Sequence, residues 1–211
     1  GGKQYTLADG DIIWQRMFYL RGYGAILEDL LLYPERCAAL RDLIITVMVR
    51  RVERLCELDD LDGIHFRDDW GTQQSLMIRP ALWRSFFKPA YGRLFAVARD
   101  AGKHVWFHSD GAIGEIIPDL IEIGVQVLNP QVDVVGRERL SALCRGRVCI
   151  EADIDRQWVL PYGTPEDVRA AVRADIEAFG GADGGYIGRG EVAGDVPWEN
   201  ILALFDEIRK H

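Results

Sequence analysis

Lys103-His104-Val105-Trp106-Phe107-His108-Ser109-Asp110-Gly111 runs from an apolar strand straight into a His-Ser-Asp-Gly turn. A strand sends alternate side chains to one face, so His108 and Asp110 point the same way. Two side chains able to bind metal or move protons therefore stand at the end of a buried strand, just before a glycine. In α/β proteins chemistry gathers at that end of the strands. The layout recurs at Ile64-His65-Phe66-Arg67-Asp68-Asp69-Trp70-Gly71 and at Val148-Cys149-Ile150-Glu151-Ala152-Asp153-Ile154-Asp155-Arg156. Carboxylates at three strand ends are the pattern of an active-site mouth.

Outward from these segments the chain alternates strand and helix. Helical periodicity covers 28–58, with Pro34 near the start of the main run. Further helices are predicted over 80–101, 112–123, 136–145, 164–179 and 197–210. Strands are predicted near 64, 105, 127, 149 and 186, and the stretch 11–20 holds one more element. Thr164-Pro165-Glu166-Asp167 is a helix start with a capping Thr, Pro at the first position and acids in the first turn. Such repetition implies a parallel sheet with right-handed crossovers. Acids at several strand ends favour a (β/α)8 TIM barrel over an open sheet. No G-x-G-x-x-G follows a strand, so a dinucleotide fold has no support. Five or six strands fall short of the eight a barrel needs. The expectation is an incomplete barrel: residues 1–211 as a single domain holding the C-terminal five or six βα units and truncated at its N-terminus.

Bulk properties narrow the class. The 211 residues are 48% hydrophobic and 27% charged, as in an ordinary globular domain. A net charge of −8 disfavours nucleic acid as a partner. No apolar run is long enough to cross a bilayer, and residues 1–5 do not read as a signal peptide. Cys37, Cys56, Cys144 and Cys149 form no C-x-x-C and read as free thiols in a reducing cytoplasm.

Several motifs together resemble the uroporphyrinogen decarboxylase superfamily: Asp68-Asp69-Trp70-Gly71-Thr72-Gln73-Gln74, Ile78-Arg79-Pro80, Phe87-Lys88-Pro89, Phe107-His108-Ser109-Asp110-Gly111, the stretch from Ile154 through Pro161 to Glu166, and Asp195-Val196-Pro197-Trp198-Glu199-Asn200-Ile201. The resemblance implies a (β/α)8 barrel. It also implies one of two chemistries: cofactor-free decarboxylation of uroporphyrinogen in tetrapyrrole biosynthesis, or methyl transfer between a corrinoid and a thiol with the help of zinc. The first and fifth motifs look closer to the methyltransferase-like members. Those carry a His-x-Cys pair on one strand and a later Cys. Here the pair is His108-x-Asp110, and the final loop Gly188-Arg189-Gly190-Glu191-Val192 offers Glu191 instead. A His/Asp/Glu set still holds zinc or another divalent metal.

The candidate residues follow. His108, Asp110 and Glu191 are expected to bind a divalent metal; in the competing reading Asp110 caps a helix near Ala112 and His108 bonds within the core. Asp68, Asp69 and Asp155 are expected to be catalytic, positioning the methyl donor or the thiol. Neighbouring residues of an extended chain face opposite ways, so only one of Asp68 and Asp69 faces the mouth directly. Asp155 also reads as a turn former. Trp70, Asn129 and Arg156 are the substrate-binding candidates, with Arg156 the natural counter-ion of nearby acids. The leading expectation is a cytoplasmic, methyltransferase-like enzyme, with a small-molecule substrate, a corrinoid protein as partner and a homodimer as its assembly. The alternatives are tetrapyrrole decarboxylation and a non-catalytic barrel fragment.

Overall fold

The computed structural model describes residues 4–181 and 184–211; residues 1–3, read above as no signal peptide, lie outside these. The chain divides into two compact units, 1–127 and 128–211.

In the first unit β1 (Leu7–Asp11) pairs in parallel with β2 (Gly63–Arg67), and β2 with β3 (His104–Ser109). The last two are the predicted strands. β1 has no apolar alternation of its own and is set by its neighbour. A Cβ at Gly10 would come within 2.4 Å of the Phe66 ring, and the register slips between Asp9 and Asp11. Three helices separate β1 from β2: α1 (Trp14–Arg21), α2 (Tyr23–Leu32) and α3 (Pro34–Cys56). The single helix expected from residue 28 is thus broken at Tyr33. A residue before proline is kept out of the helical region, and Tyr33 has φ −136° and ψ 54°.

Proline also interrupts the next helix. α4 (Pro80–Leu82) widens into a π turn (Trp83–Phe87) before α5 (Lys88–Asp100). Pro89 has no N–H and its ring crowds the carbonyl four residues back, so the ladder opens there. The Lys88 amide donates to the carbonyl of Trp83, five residues away. Pro118 likewise confines the helix expected over 112–123 to α6 (Ile117–Glu122). α3 and α5 bury Ile44, Ile45, Met48 and Val52, and Tyr91, Leu94 and Phe95. Ile64, Phe66, Val105 and Phe107 of β2 and β3 are equally inaccessible. At about 25 cal/mol per Å² of apolar surface, each such side chain contributes roughly 1.5–3 kcal/mol.

The second unit carries all but the first residue of β4 (Val127–Pro130), then α7 (Val132–Val135), α8 (Arg137–Cys144), β5 (Cys149–Asp153), α9 (Val159–Tyr162), α10 (Pro165–Phe179), β6 (Tyr186–Arg189) and α11 (Trp198–Ile208). β5 and β6 are parallel, with Glu151 opposite Ile187 and Asp153 opposite Arg189. Among the described residues β1 pairs with β2 alone, and β6 with β5 alone. Ile154, Leu160, Val168, Val172, Ala203 and Leu204 form the apolar layer under α10 and α11. All four cysteines are free. No helix among the described residues is long and apolar enough to cross a membrane.

The start of α10 follows the sequence reading. Thr164 Oγ1 accepts from the Asp167 amide at 3.3 Å, and Asp167 Oδ2 accepts from the Thr164 amide at 2.8 Å. This reciprocal pair satisfies two donors that the helix itself leaves unpaired. Thr164→Ala is expected to lower stability by about 1 kcal/mol, read as a shift of the denaturant midpoint at constant slope; no shift would mean the cap adds nothing.

Candidate functional site

The segments after β2 and β3 run side by side. The Asp68 amide donates to the His108 carbonyl at 3.0 Å, Gly71 to Asp110 at 3.2 Å, and Ala112 to Thr72 at 2.8 Å. Trp70 N–H reaches Ser109 Oγ at 2.9 Å. Glycine at 71 and 111 permits this closeness. A Cβ on Gly71 would lie 2.4 Å from the Ala112 nitrogen, and one on Gly111 would lie 2.3 Å from the Gly71 carbonyl carbon. Gly111 also has φ +81°, where other residues are strained.

This pairing brings together Asp69, His108 and Asp110. His108 Nε2 lies 3.6 Å from Asp69 Oδ1 and 3.9 Å from Asp110 Oδ1. One donor atom from each residue falls within 4.8 Å of the others. All three are partly open, with side chains 33%, 17% and 35% exposed in chain order. Asp69 is fixed at both oxygens: Oδ1 accepts from the Asp110 amide at 2.9 Å, and Oδ2 from Gln15 Nε2 at 3.2 Å. No helix begins at Ala112, so Asp110 does not serve as the helix cap.

Asp68 takes the opposite course. It is 1% exposed. Its Oδ2 accepts from the amides of Ile13 at 2.7 Å and Trp14 at 2.6 Å, and from the Tyr91 hydroxyl; its Oδ1 accepts from the Gln15 amide at 2.8 Å. It caps α1 from a distant part of the chain, in place of a local cap. Beside the catalytic role expected for it, Asp68 thus has a structural one, as the acceptor of several buried donors. Trp70, expected to bind substrate, packs into the core: it is fully buried, stacks on Trp14 at 5.2 Å and donates to Tyr91 Oη at 3.0 Å.

In the second unit the candidates fall into separate arrangements. Asp155 Oδ1 accepts from the amides of Gln157 and Trp158 at 2.8 and 3.0 Å, which is its turn-forming alternative. Arg156 is bound to Glu191. Glu191 is therefore held by an arginine, and Asp69 takes the third place beside His108 and Asp110 that the sequence reading gave to it. Asn129 is 1% exposed and donates to the Glu151 carbonyl at 2.8 Å and to Asp153 Oδ2 at 3.0 Å. Its oxygen accepts from Arg189 Nη1 at 2.9 Å. Arg189 also stands 3.6 Å from Glu151 and 3.5 Å from Asp153. The counter-ion of those acids is Arg189, where the sequence reading placed Arg156. Reading missed Gln15 too; its one sequence signal is a polar residue directly after the buried Trp14.

Burial pushes the Asp68 carboxyl up to about 6, against the opposing bonds from Tyr91 and the amides of residues 13–15. A carboxyl with a raised folded pKa binds its proton more tightly folded than unfolded. Its contribution to stability is thus full below the ordinary value of 3.8 and is lost as pH rises through about 6. The stability of the wild type relative to Asp68→Asn should fall across that window, and a flat difference in pH-resolved unfolding would contradict this. Asp68→Ala should cost about 3 kcal/mol or more, since several buried donors lose their acceptor together.

The profile of the uroporphyrinogen decarboxylase (URO-D) family matches residues 13–211. Among solved structures, a methyltransferase from Methanosarcina mazei superposes with a TM-score of 0.78 at 15% identity, over 100% of this chain and 60% of that one. This chain thus spans 60% of the length of that structure. No curated protein matches it. At such identity the likeness concerns the fold, an α/β barrel architecture. With nearly its whole length matched by the one profile, the chain belongs to the uroporphyrinogen decarboxylase family.

Proposed function

We propose that this chain carries the metal-holding part of a methyltransferase that moves a methyl group between a corrinoid and a thiol or another small molecule. The observation that carries the reading is the convergence of Asp69, His108 and Asp110. The fold likeness to a methyltransferase supports it.

The residues suit a divalent cation. Ligands about 2.0–2.2 Å from zinc stand roughly 3.4 Å from each other in a tetrahedron. The separations of 3.6 and 3.9 Å about His108 Nε2 need only a small closure to reach that. Two carboxylates with one imidazole form a negative, oxygen-rich set, which favours zinc, manganese or iron(II) over thiophilic ions. Asp69, His108 and Asp110 would be the ligands. A bound cation would supply Lewis acidity, lowering the pKa of the methyl acceptor so that it is nucleophilic near neutral pH. The chain's own part is orientation. The paired loops hold Asp69 and Asp110 in fixed register, and the Asp110 amide turns one Asp69 oxygen toward His108. A corrinoid-carrying protein is the partner this reading requires.

Elemental analysis of protein purified without an affinity tag or added metal tests the reading. About one divalent metal per chain is expected, lost in His108→Ala and in Asp110→Ala while both variants keep the melting curve of chelator-treated wild type. Absence of metal from folded wild-type protein, together with uroporphyrinogen decarboxylation that survives chelation, would replace methyl transfer by carboxyl removal.

A further inference from the structure

We propose that Gln15 is a positioning residue for the metal group: it ties down one oxygen of Asp69 so that the other faces His108. The inference rests on the metal reading of Asp69, His108 and Asp110.

Its basis is a reciprocal contact between two short stretches of chain, 13–15 and 68–70. Asp68 accepts from the amides of Ile13, Trp14 and Gln15. Trp70 stacks on Trp14. Residues 68 and 70 are thus buried anchors, and residue 69 between them turns outward. On the opposite stretch Trp14 is buried, and the Gln15 side chain follows it out to meet Asp69 Oδ2 at 3.2 Å. The start of α1 is fixed at its backbone and at an aromatic ring, so the Gln15 amide is delivered to one place.

A carboxylate turns easily about its terminal bond, whose torsion has broad minima. Asp69 is stopped from turning at both ends, by the Asp110 amide on Oδ1 and by Gln15 on Oδ2. Gln15 occupies Oδ2, while Oδ1, which stands 3.6 Å from His108 Nε2, has a second lone pair for a cation beside its bond from the Asp110 amide. A neutral amide does this without altering the charge of the group. Lysine or arginine at the same point would compete with the cation, and glutamate would repel Asp69. Hydrogen-bonding partners of ligands commonly change metal affinity by about 10- to 100-fold.

Cobalt(II) serves as the probe, followed by binding titration and by its visible spectrum. Gln15→Met keeps the length of the side chain and the backbone amide that Asp68 holds, but removes the donor; Gln15→Ala is the second variant. Both are expected to bind cobalt about tenfold more weakly, with unchanged melting curves. The d–d bands of the saturated Gln15→Met site should differ from the wild type, because Asp69 is no longer held to a single oxygen. In an Asp69→Asn background Gln15→Met should add nothing, since its effect passes through Asp69. Wild-type affinity and spectrum in Gln15→Met, or additive losses in the combined variant, would overturn the inference and leave the metal reading standing. Wild-type protein that takes up no cobalt would overturn both.

Discussion

A carboxylate with almost no contact with water joins the start of α1 to the end of β2. Asp68 takes hydrogen bonds from successive amides at the helix start and from the Tyr91 hydroxyl on α5. Helix N-termini leave their first amides unpaired and carry partial positive charge, so a buried anion there is stabilised twice over. Around it Trp14, Trp70, Phe87 and Tyr91 form edge-to-face and stacked contacts. Desolvation opposes these gains, which is why the acid titrates late. The position of Asp69 follows from this anchor. With one side chain of the Asp-Asp pair drawn inward, the pleat sends the next one out toward His108.

Much of the fold was legible because it rests on local rules. Gly and Pro punctuation, apolar strand cores and the Thr-Pro-Glu-Asp start located five strands and most helices. What escaped depends on neighbours. β1 reads as Leu-Ala-Asp-Gly-Asp, without apolar alternation, and pairs with β2, where Gly10 leaves room for the Phe66 ring. The breaks at Tyr33 and at the π turn were available in principle, since Pro34 and Pro89 each forbid an unbroken helix. Periodicity outweighed them in the reading. For the site, alternation showed that only one of Asp68 and Asp69 faces outward but not which one. The choice is made by α1, more than fifty residues away in sequence.

The second unit shows how acids on one strand face are tolerated. Glu151 and Asp153 lie on the same side of β5, mostly out of water, and would repel each other without a shared partner. Arg189 enters from β6, opposite Asp153 in register, and Asn129 from β4 bonds both Asp153 and the guanidinium. One buried amide thus sets the orientation of a cation and an anion at once. Sequence order misled here because Arg156 is near these acids in the chain, whereas parallel pairing makes Arg189 near in space.

Barrel enzymes commonly change specificity by lengthening or exchanging the loops above their strands. The backbone crossing of Gly71 and Gly111 closes that route for the two loops that carry the candidate ligands. An inserted residue, or any side chain at either crossing point, would separate Asp69 from Asp110. The frame that presents positions 69 and 110 is therefore set by backbone contact at two glycines, independently of which side chains those positions carry.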